Sequence, residues 1–415
     1  MRNDKEERPE LTEAEKNIGL SFLKSPDLFE QIISDMEVLG YVGEDLNKLL
    51  MYLCASSRIL DDPISVMIIS QSSAGKSYLV DTVRRLIPPE EVLALNSISD
   101  QAFNYIKELL HKFVVLGEAV HNETIEHQIR EMLSNKQLTR LVTVKDPKTG
   151  EMASSLKKVE TVIAMVLTTT NTKPNPENAS RCFVINADES KEQTRKIHES
   201  QRNIYSLEYY KQQKEMIPQI IAKHQSAQRL LKKLSVFNPF AVHLDFPDSL
   251  MRTRRDHWRF LTLIATVAFL RQYQKEIMIK DGLEFIECDL IDYEIAYKIM
   301  INGVLSSTMI ELPRSAVELY EEIRKLTRRL AKGNNLAVNE VSFTQRDIRE
   351  ATGFGNTWIK NNLKILVDFE YISLIRGGKE RTRGFYRLKE DCEIQRLDLS
   401  MIPTPEQMRK KLQKV

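Results

Sequence analysis

The spacing of apolar positions changes along this chain, and each change predicts a different kind of structure. Between residues 13 and 60 apolar side chains recur at helical intervals, as at Leu46, Leu49, Leu50 and Leu53. Within that stretch Ser25-Pro26-Asp27 reads as a helix start, with a capping Ser and Pro at the first helical position. From 64 to 188, β-branched runs at 65–69, 92–95, 112–117, 161–168 and 182–186 alternate with helix-like stretches at 76–86, 100–110 and 123–134. Such alternation predicts an α/β fold with a parallel sheet covered by helices. Residues 138–160 break the rhythm. There Leu141-Val142-Thr143-Val144 runs into Lys145-Asp146-Pro147-Lys148-Thr149-Gly150, a strong turn signal, so an inserted β-hairpin is expected.

Residues 189–235 are charged and helical in pattern, and 236–248, with Pro239 and Pro247, reads as a connector. A long helix is expected over 249–276, with Leu261, Leu263, Ile264, Val267 and Leu270 on one face, and further helices over 277–312. From about 313 the character changes again. Helices are predicted at 314–331, after Thr344, and at 357–367 beyond the Gly353–Thr357 turn. Strands at 371–375 and 384–388 then flank Arg376-Gly377-Gly378-Lys379-Glu380-Arg381-Thr382-Arg383. Three helices and a basic hairpin predict a winged helix-turn-helix.

At 415 residues the chain is long enough for two or three domains, and 42% hydrophobic content suits packed cores. A net charge of +2 excludes a protein that is basic all over, so any nucleic-acid surface must be local. The four cysteines, Cys54, Cys182, Cys288 and Cys392, form no CxxC pair, which argues against a zinc site or a disulfide framework. No apolar run reaches ~18 residues and the N-terminus is charged throughout, so neither a membrane span nor a secretory signal is expected, and a cytoplasmic protein is.

The chemistry concentrates where Val66-Met67-Ile68-Ile69 meets Ser70-Gln71-Ser72-Ser73-Ala74-Gly75-Lys76-Ser77, followed by an amphipathic helix that begins with Tyr78 and Leu79. Strand, small-residue loop and helix in that order are the layout of a phosphate-binding loop, with Ser70 where the usual pattern has Gly. Backbone N–H groups of Ser72 to Tyr78 would wrap the phosphates of ATP. Lys76 would reach the β- and γ-phosphates, and the Ser77 hydroxyl would ligate Mg²⁺. Glu118, ending the apolar strand 112–117, is the candidate to polarise an attacking water, although Gly117 stands where an Asp usually supports the metal. Asn171, with Thr170 second, ends the strand beginning near 161 and could position that water. Arg181, just before the last strand, could act on a neighbour's nucleotide, and Arg255, with Arg254 second, opens the long helix and could reach the γ-phosphate.

Together these residues resemble the AAA+ ATPases, in particular the minichromosome-maintenance-like branch of replicative helicases and the helicase or primase-helicase proteins of bacterial mobile elements. The likeness covers about residues 15–300 and rests on Ser-Ser-Ala-Gly-Lys-Ser at 72–77 and Arg-Arg-Asp at 254–256. Taken with the patterning, it divides the chain into an N-terminal helical segment (1–60), an α/β ATPase core (61–188), a helical lid (189–312), a winged helix (313–390), which also fits that branch, and a tail (391–415). It makes Lys76 and Ser77 the Walker A residues, Glu118 the Walker B acid, Asn171 sensor 1, Arg181 an arginine finger and Arg255 sensor 2. It turns the 138–160 insertion into a pre-sensor hairpin, whose Lys145 and Lys148 would touch single-stranded DNA inside a ring. Lys360 and Lys364 of the recognition helix, with Lys379, Arg381 and Arg383 of the wing, would contact duplex DNA. The expected activity is ATP-driven DNA unwinding by a homo-oligomeric ring, most simply a hexamer, for replication of a mobile element beside a separate primase or polymerase. The alternative is a DNA-bound loader, or a nucleotide-gated winged-helix switch without unwinding.

Overall fold

The computed structural model describes residues 9–70, 75–95, 103, 109–117, 123–145, 152–170, 174–248, 253–305, 314–334, 336–368, 371–376, 384–391 and 399–413. The chain divides into two compact units, Met1–Ser307 with Leu399–Val415, and Thr308–Asp398.

The first unit opens with three helices, α1 (Glu13–Lys24), α2 (Leu28–Val38) and α3 (Asp45–Ser56). Thr12 caps α1 through a capping box with Glu15. Ser25 is not a start signal: it lies at the C-terminal end of α1, and Asp27 takes the position before α2. There follow β1 (Val66–Ile69), α4 (Lys76–Leu86), β2 (Val92–Leu95), β3 (Phe113–Leu116), α5 (Glu123–Asn135), β4 (Gln137–Lys145), β5 (Met152–Glu160), β6 (Ala164–Thr169), α6 (Pro176–Ala179) and β7 (Phe183–Asn186). Strands β2-β3-β6-β1-β7 form one five-stranded sheet in which every pairing is parallel, so the α/β expectation holds. The strands β3 and β6 are buried throughout, which is why they read as unbroken apolar runs rather than alternating ones. Met67, Val114, Leu116, Met165 and Leu167 pack with Ile125, Ile129 and Met132 of α5. The alternate residues Val66, Ile68, Phe113, Ala164 and Val166 are equally buried and face the other way. On that face lies α3, whose residues Leu49 to Ala55 are all buried. Strands β4 and β5 form a separate antiparallel pair, in register from Gln137↔Glu160 to Lys145↔Met152.

Beyond β7 come α7 (Lys191–Ile204), α8 (Leu207–Leu230), β8 (Ser235–Phe237), α9 (Thr253–Leu270), β9 (Met278–Lys280), β10 (Leu283–Glu287) and α10 (Leu290–Tyr297), which continues as a π-helical segment to Leu305. The expectation of helices throughout 277–312 is corrected here. Asp281 and Gly282 both take left-handed φ, 51° and 80°, and close a tight β9–β10 hairpin to which β8 adds in parallel. The expected helix at 100–110 falls mostly outside the described residues. Among the described residues no helix is long and apolar enough to cross a membrane.

A buried polar cluster joins α2, α3 and α8. The His224 ring lies 2.8 Å from Asp35 through Nε2 and 2.9 Å from the Tyr52 hydroxyl through Nδ1, while Lys223 pairs with Asp35 at 2.6 Å. Burial pushes the His224 imidazole below its ordinary value, against the pull of Asp35. Asp35, though buried, is held below the usual carboxylate range by His224 and Lys223. A neutral imidazole that donates to Asp35 and accepts from Tyr52 satisfies every member of the cluster. The unfolded chain therefore takes up the His224 proton first as pH falls. The stabilisation is full above about pH 6.5, the ordinary histidine value, and is lost progressively below it. Denaturant midpoints should fall between pH 7.5 and 5.5, and His224→Gln should flatten that slope.

The second unit contains α11 (Arg314–Asn334), β11 (Ser342–Phe343), α12 (Gln345–Thr352), α13 (Asn356–Asp368), β12 (Ile372–Arg376) and β13 (Phe385–Leu388). Its strands form an antiparallel sheet in the order β11-β13-β12. Thr344 caps α12 through a capping box with Asp347, and Gly353, at φ +74°, ends it. Leu319, Ile323, Phe343, Ile348, Ile359, Leu363 and Leu388 share one core. After this unit the chain returns to the first. There α14 (Pro405–Leu412) packs on α10, with Met408 fully buried and the Tyr293 hydroxyl donating 2.5 Å to the Pro403 carbonyl.

Candidate functional site

The parallel sheet brings the ends of β3, β6 and β1, three neighbouring strands, to one edge. The Ser70 N–H donates to the Thr169 carbonyl at 3.4 Å, so the chain leaves β1 beside the end of β6. Gly75 follows at φ +88°, a left-handed conformation that costs glycine least, and α4 begins at Lys76. Gly75 supplies no capping side chain for α4; the Tyr78 N–H turns back to the Gly75 carbonyl at 3.0 Å, and the helix start presents the positive end of its dipole. Lys76 is buried, and its ammonium donates to the Ser70 carbonyl across the base of the loop. Ser77 and Tyr78 are exposed at the same end. A phosphate chain fits this arrangement: donors at a helix start, one buried ammonium and one exposed hydroxyl able to meet a metal ion.

Of the other residues picked from sequence for this edge, Ser72, Ser73, Ala74, Glu118 and Asn171 lie outside the described residues. Their neighbours fix where the chain departs. Gly117 donates to the Leu95 carbonyl at 3.1 Å just beyond β3, and Thr170 is exposed just beyond β6.

Arg181 and Arg255 are brought together, but not with Lys76. The Phe183 N–H donates to the Ser65 carbonyl at 2.8 Å, which puts residues 176–182 level with the start of β1. Lys76 follows the end of β1, so the two arginines sit at the opposite edge of the sheet, roughly 10–15 Å away along the strand direction. The Arg181 Nε donates to Ser134 Oγ of α5 at 2.5 Å, and its guanidinium also reaches the Glu177 carbonyl. Arg255 donates to the Ser180 hydroxyl from the first turn of α9. Burial, and then the neighbouring Arg255 charge, press the Arg181 pKa below the ordinary arginine value. Nearby, Arg130 pairs with Glu177, and the Asn175 amide donates to Glu126 at 2.7 Å, both tying the segment before β7 to α5.

Sequence reasoning missed the turn 39–44, which packs against the helix start of the phosphate loop. Gly40, Gly43 and Glu44 take φ of 99°, 71° and 51°. The Tyr78 hydroxyl donates to the Leu39 carbonyl at 3.0 Å, and its ring stacks on Tyr41 with centroids 6.3 Å apart. A Cβ at Gly40 would collide with that hydroxyl. Gln193 donates to the Val42 carbonyl at 2.6 Å, and Asn47 to the Asn186 carbonyl at 3.2 Å, so the turn is also fastened to the chain leaving β7. Glu44 accepts from the Tyr41 hydroxyl and the Asp188 N–H, and burial raises its carboxyl pKa. The two glycines three apart in Gly40-Tyr41-Val42-Gly43 were the available signal.

In the second unit Asn356, Thr357, Lys360, Asn361 and Lys364 are all exposed on one side of α13, while Ile359, Leu363 and Leu366 are buried on the other. Arg349 of α12 donates to the Asn356 side chain at 3.0 Å. Lys145 ends β4 opposite Met152, whereas Lys148, Lys379, Arg381 and Arg383 lie outside the described residues.

A family model described as the MTBMA_p00010 P-loop domain matches residues 13–226, just over half of the chain. The match runs from α1 into α8 and so takes in the sheet, the Lys76 loop, the 39–44 turn and the Arg181 segment. No curated protein matches the chain. With that match over α1 to α8, and with Gly75 and the start of α4 set beyond the end of β1, the chain belongs to the MTBMA_p00010 P-loop domain family, and its first unit carries a P-loop NTPase domain.

Proposed function

We propose that this protein is an ATP-driven DNA translocase, a helicase of the AAA+ type, whose active sites are completed between copies of the chain. The observation that carries the reading is the separation of Lys76 from Arg181 and Arg255 across the sheet. Arginines at the far edge cannot serve their own phosphate loop, but in a head-to-tail arrangement they meet the next copy's nucleotide. Such an arrangement closes into a ring when the rotation between copies is right.

In this reading the first-turn N–H groups of α4 and the Lys76 ammonium hold the phosphates, and Glu118 orients the attacking water with Asn171. Mg²⁺, ligated by Ser77, supplies charge neutralisation at the phosphates when bound. The next copy's Arg181 stabilises the charge that develops on the transferred group. Tyr41, Tyr78 and the 39–44 turn form the wall beside the nucleoside. The second unit reads as a winged helix, with α13 laying Lys360 and Lys364 against duplex DNA while Lys379, Arg381 and Arg383 reach along the backbone from the wing. The β4–β5 hairpin carries Lys145 and Lys148 toward the translocated strand.

The test is a mixing experiment. Arg181→Ala and Glu118→Gln proteins should each hydrolyse ATP at least about 100-fold more slowly than wild type, the scale of losing one transition-state charge. Mixed together, they should recover part of the activity, because one interface then joins an intact Lys76–Glu118 site to an intact Arg181. Mixtures as inactive as their components would sink the shared-site reading. A second reading, a nucleotide-gated DNA-binding switch, is favoured by Gly117 in the Walker B aspartate position. It predicts nucleotide binding and nucleotide-dependent DNA affinity without turnover or strand displacement.

A further inference from the structure

We propose that Trp258 is the aromatic anchor of the contact between two copies of this chain, seated on the partner copy's phosphate-loop edge. This rests on the shared-site reading and adds to it the residue that holds the copies together. The inner face of α9 is fully used: Asp256, Phe260, Leu263, Ile264 and Val267 are buried. Arg259 is likewise committed, to Asp256 at 2.5 Å, to the Cys182 carbonyl, and above the Phe183 ring. Trp258 is left 60% exposed, so α9 does not need the indole for its own packing.

Its position on the helix is informative. Trp258 lies three and four residues beyond Arg255 and Arg254, which places all three on one helical face. Arg255 reaches Ser180, and its charge is felt by Arg181, so this face is continuous with the arginine pair. Among the described residues no carboxylate pairs with Arg181 or Arg255. An exposed indole framed by such arginines has the composition of an interface hot spot. The occupant must be anionic beside the arginines and offer a surface for the indole. A second copy presenting its nucleotide at the Lys76–Tyr78 edge meets both conditions, with the exposed Tyr78 ring at the same end.

The chain has two tryptophans, and Trp358 lies in the second unit against Phe354, so Trp358→Phe leaves Trp258 as the one reporter. Full-length protein is titrated with and without a non-hydrolysable ATP analogue, following indole emission and sedimentation together. The expected result is a blue shift of emission that tracks association. In the otherwise wild-type chain, Trp258→Ala should weaken association at least about 30-fold, with the thermal midpoint and single-copy nucleotide binding unchanged. The proposal is overturned if copies associate while the emission stays unshifted, or if Trp258→Ala associates like wild type. It is equally overturned if single-stranded DNA shifts the emission at dilutions where the protein sediments as one copy, which would make the indole a base-stacking platform. Wild-type protein that never associates overturns both this proposal and the shared-site reading, whereas the Trp258 outcomes above leave shared sites standing.

Discussion

Lys76→Ala protein should hydrolyse ATP at least about 100-fold more slowly than wild type while keeping, or slightly raising, its thermal midpoint. Lys76 is buried at the first position of α4, held by the Ser70 carbonyl within the base of the phosphate loop. An ammonium held in place before the reaction lowers the barrier by the amount that about 10²–10³ in rate represents, because no group has to reorganise to supply its charge. The same ammonium sits at the positive end of the α4 dipole, where a cation is unfavourable. Removing it therefore does not threaten the helix, which separates loss of chemistry from loss of fold. Lys76→Arg should be nearly as slow, because a planar guanidinium cannot occupy the place of a compact ammonium beneath the loop. Steady-state hydrolysis with calorimetry on the same samples checks both statements. Turnover within about threefold of wild type in Lys76→Ala would mean that the loop does not hold the reacting phosphates.

Arg58→Ala should be the most damaging single change to the first unit. Arg58 is fully buried, and both its Nε and Nη2 donate to Glu91, the former at 2.8 Å. Its Nη1 donates to the Ala55 carbonyl at 2.9 Å and to Gln228 at 2.7 Å. One guanidinium thus joins the end of α3, the start of β2 and the last turn of α8, and the Arg58 carbonyl contacts the His111 ring at 2.7 Å. Truncation takes the Arg58 guanidinium from the buried Glu91 carboxylate, a loss of about 3–5 kcal/mol. For a unit of this size that corresponds to a fall of roughly 10 °C in the midpoint. Replacing both partners with apolar side chains, Arg58→Met with Glu91→Leu, should recover most of the loss, because no charge is then stranded. If Arg58→Ala and the double variant melt alike, the pair is not the source of the stability. The two units can unfold separately, so the transition belonging to the first must be assigned, for instance by its shift with nucleotide.

The parts of this architecture that could be read from the residues are those where one physical demand dominates. β1, β3 and β6 are buried on both faces, and nothing but an apolar run satisfies that demand. The Gly75-Lys76-Ser77 step was legible because backbone angle, buried charge and helix start fall on adjacent positions. What escaped was of two kinds. The β9–β10 hairpin is short and largely exposed, with Glu284 and Glu287 beside Phe285 and Ile286, so neither an apolar run nor a helical stripe marks it. The 39–44 turn is defined by positive φ and by bonds to residues as distant as Gln193, which local patterning does not encode. Arg181 and Arg255 were each picked from local context, but 74 positions separate them, and only the β1–β7 pairing brings both to the edge away from Lys76.

The return of α14 to the first unit has a consequence for dissecting this protein. Because Ile402 and Met408 are buried there and Lys411 pairs with Asp245, residues 402–411 are structural members of the NTPase-bearing unit. The second unit is therefore a guest within a host. Cutting the chain at residue 307 to isolate the host leaves its α10 surface bare, and an exposed apolar scar of that kind promotes aggregation. Grafting a foreign module in place of residues 308–398 keeps the host intact, provided its two ends close the same gap.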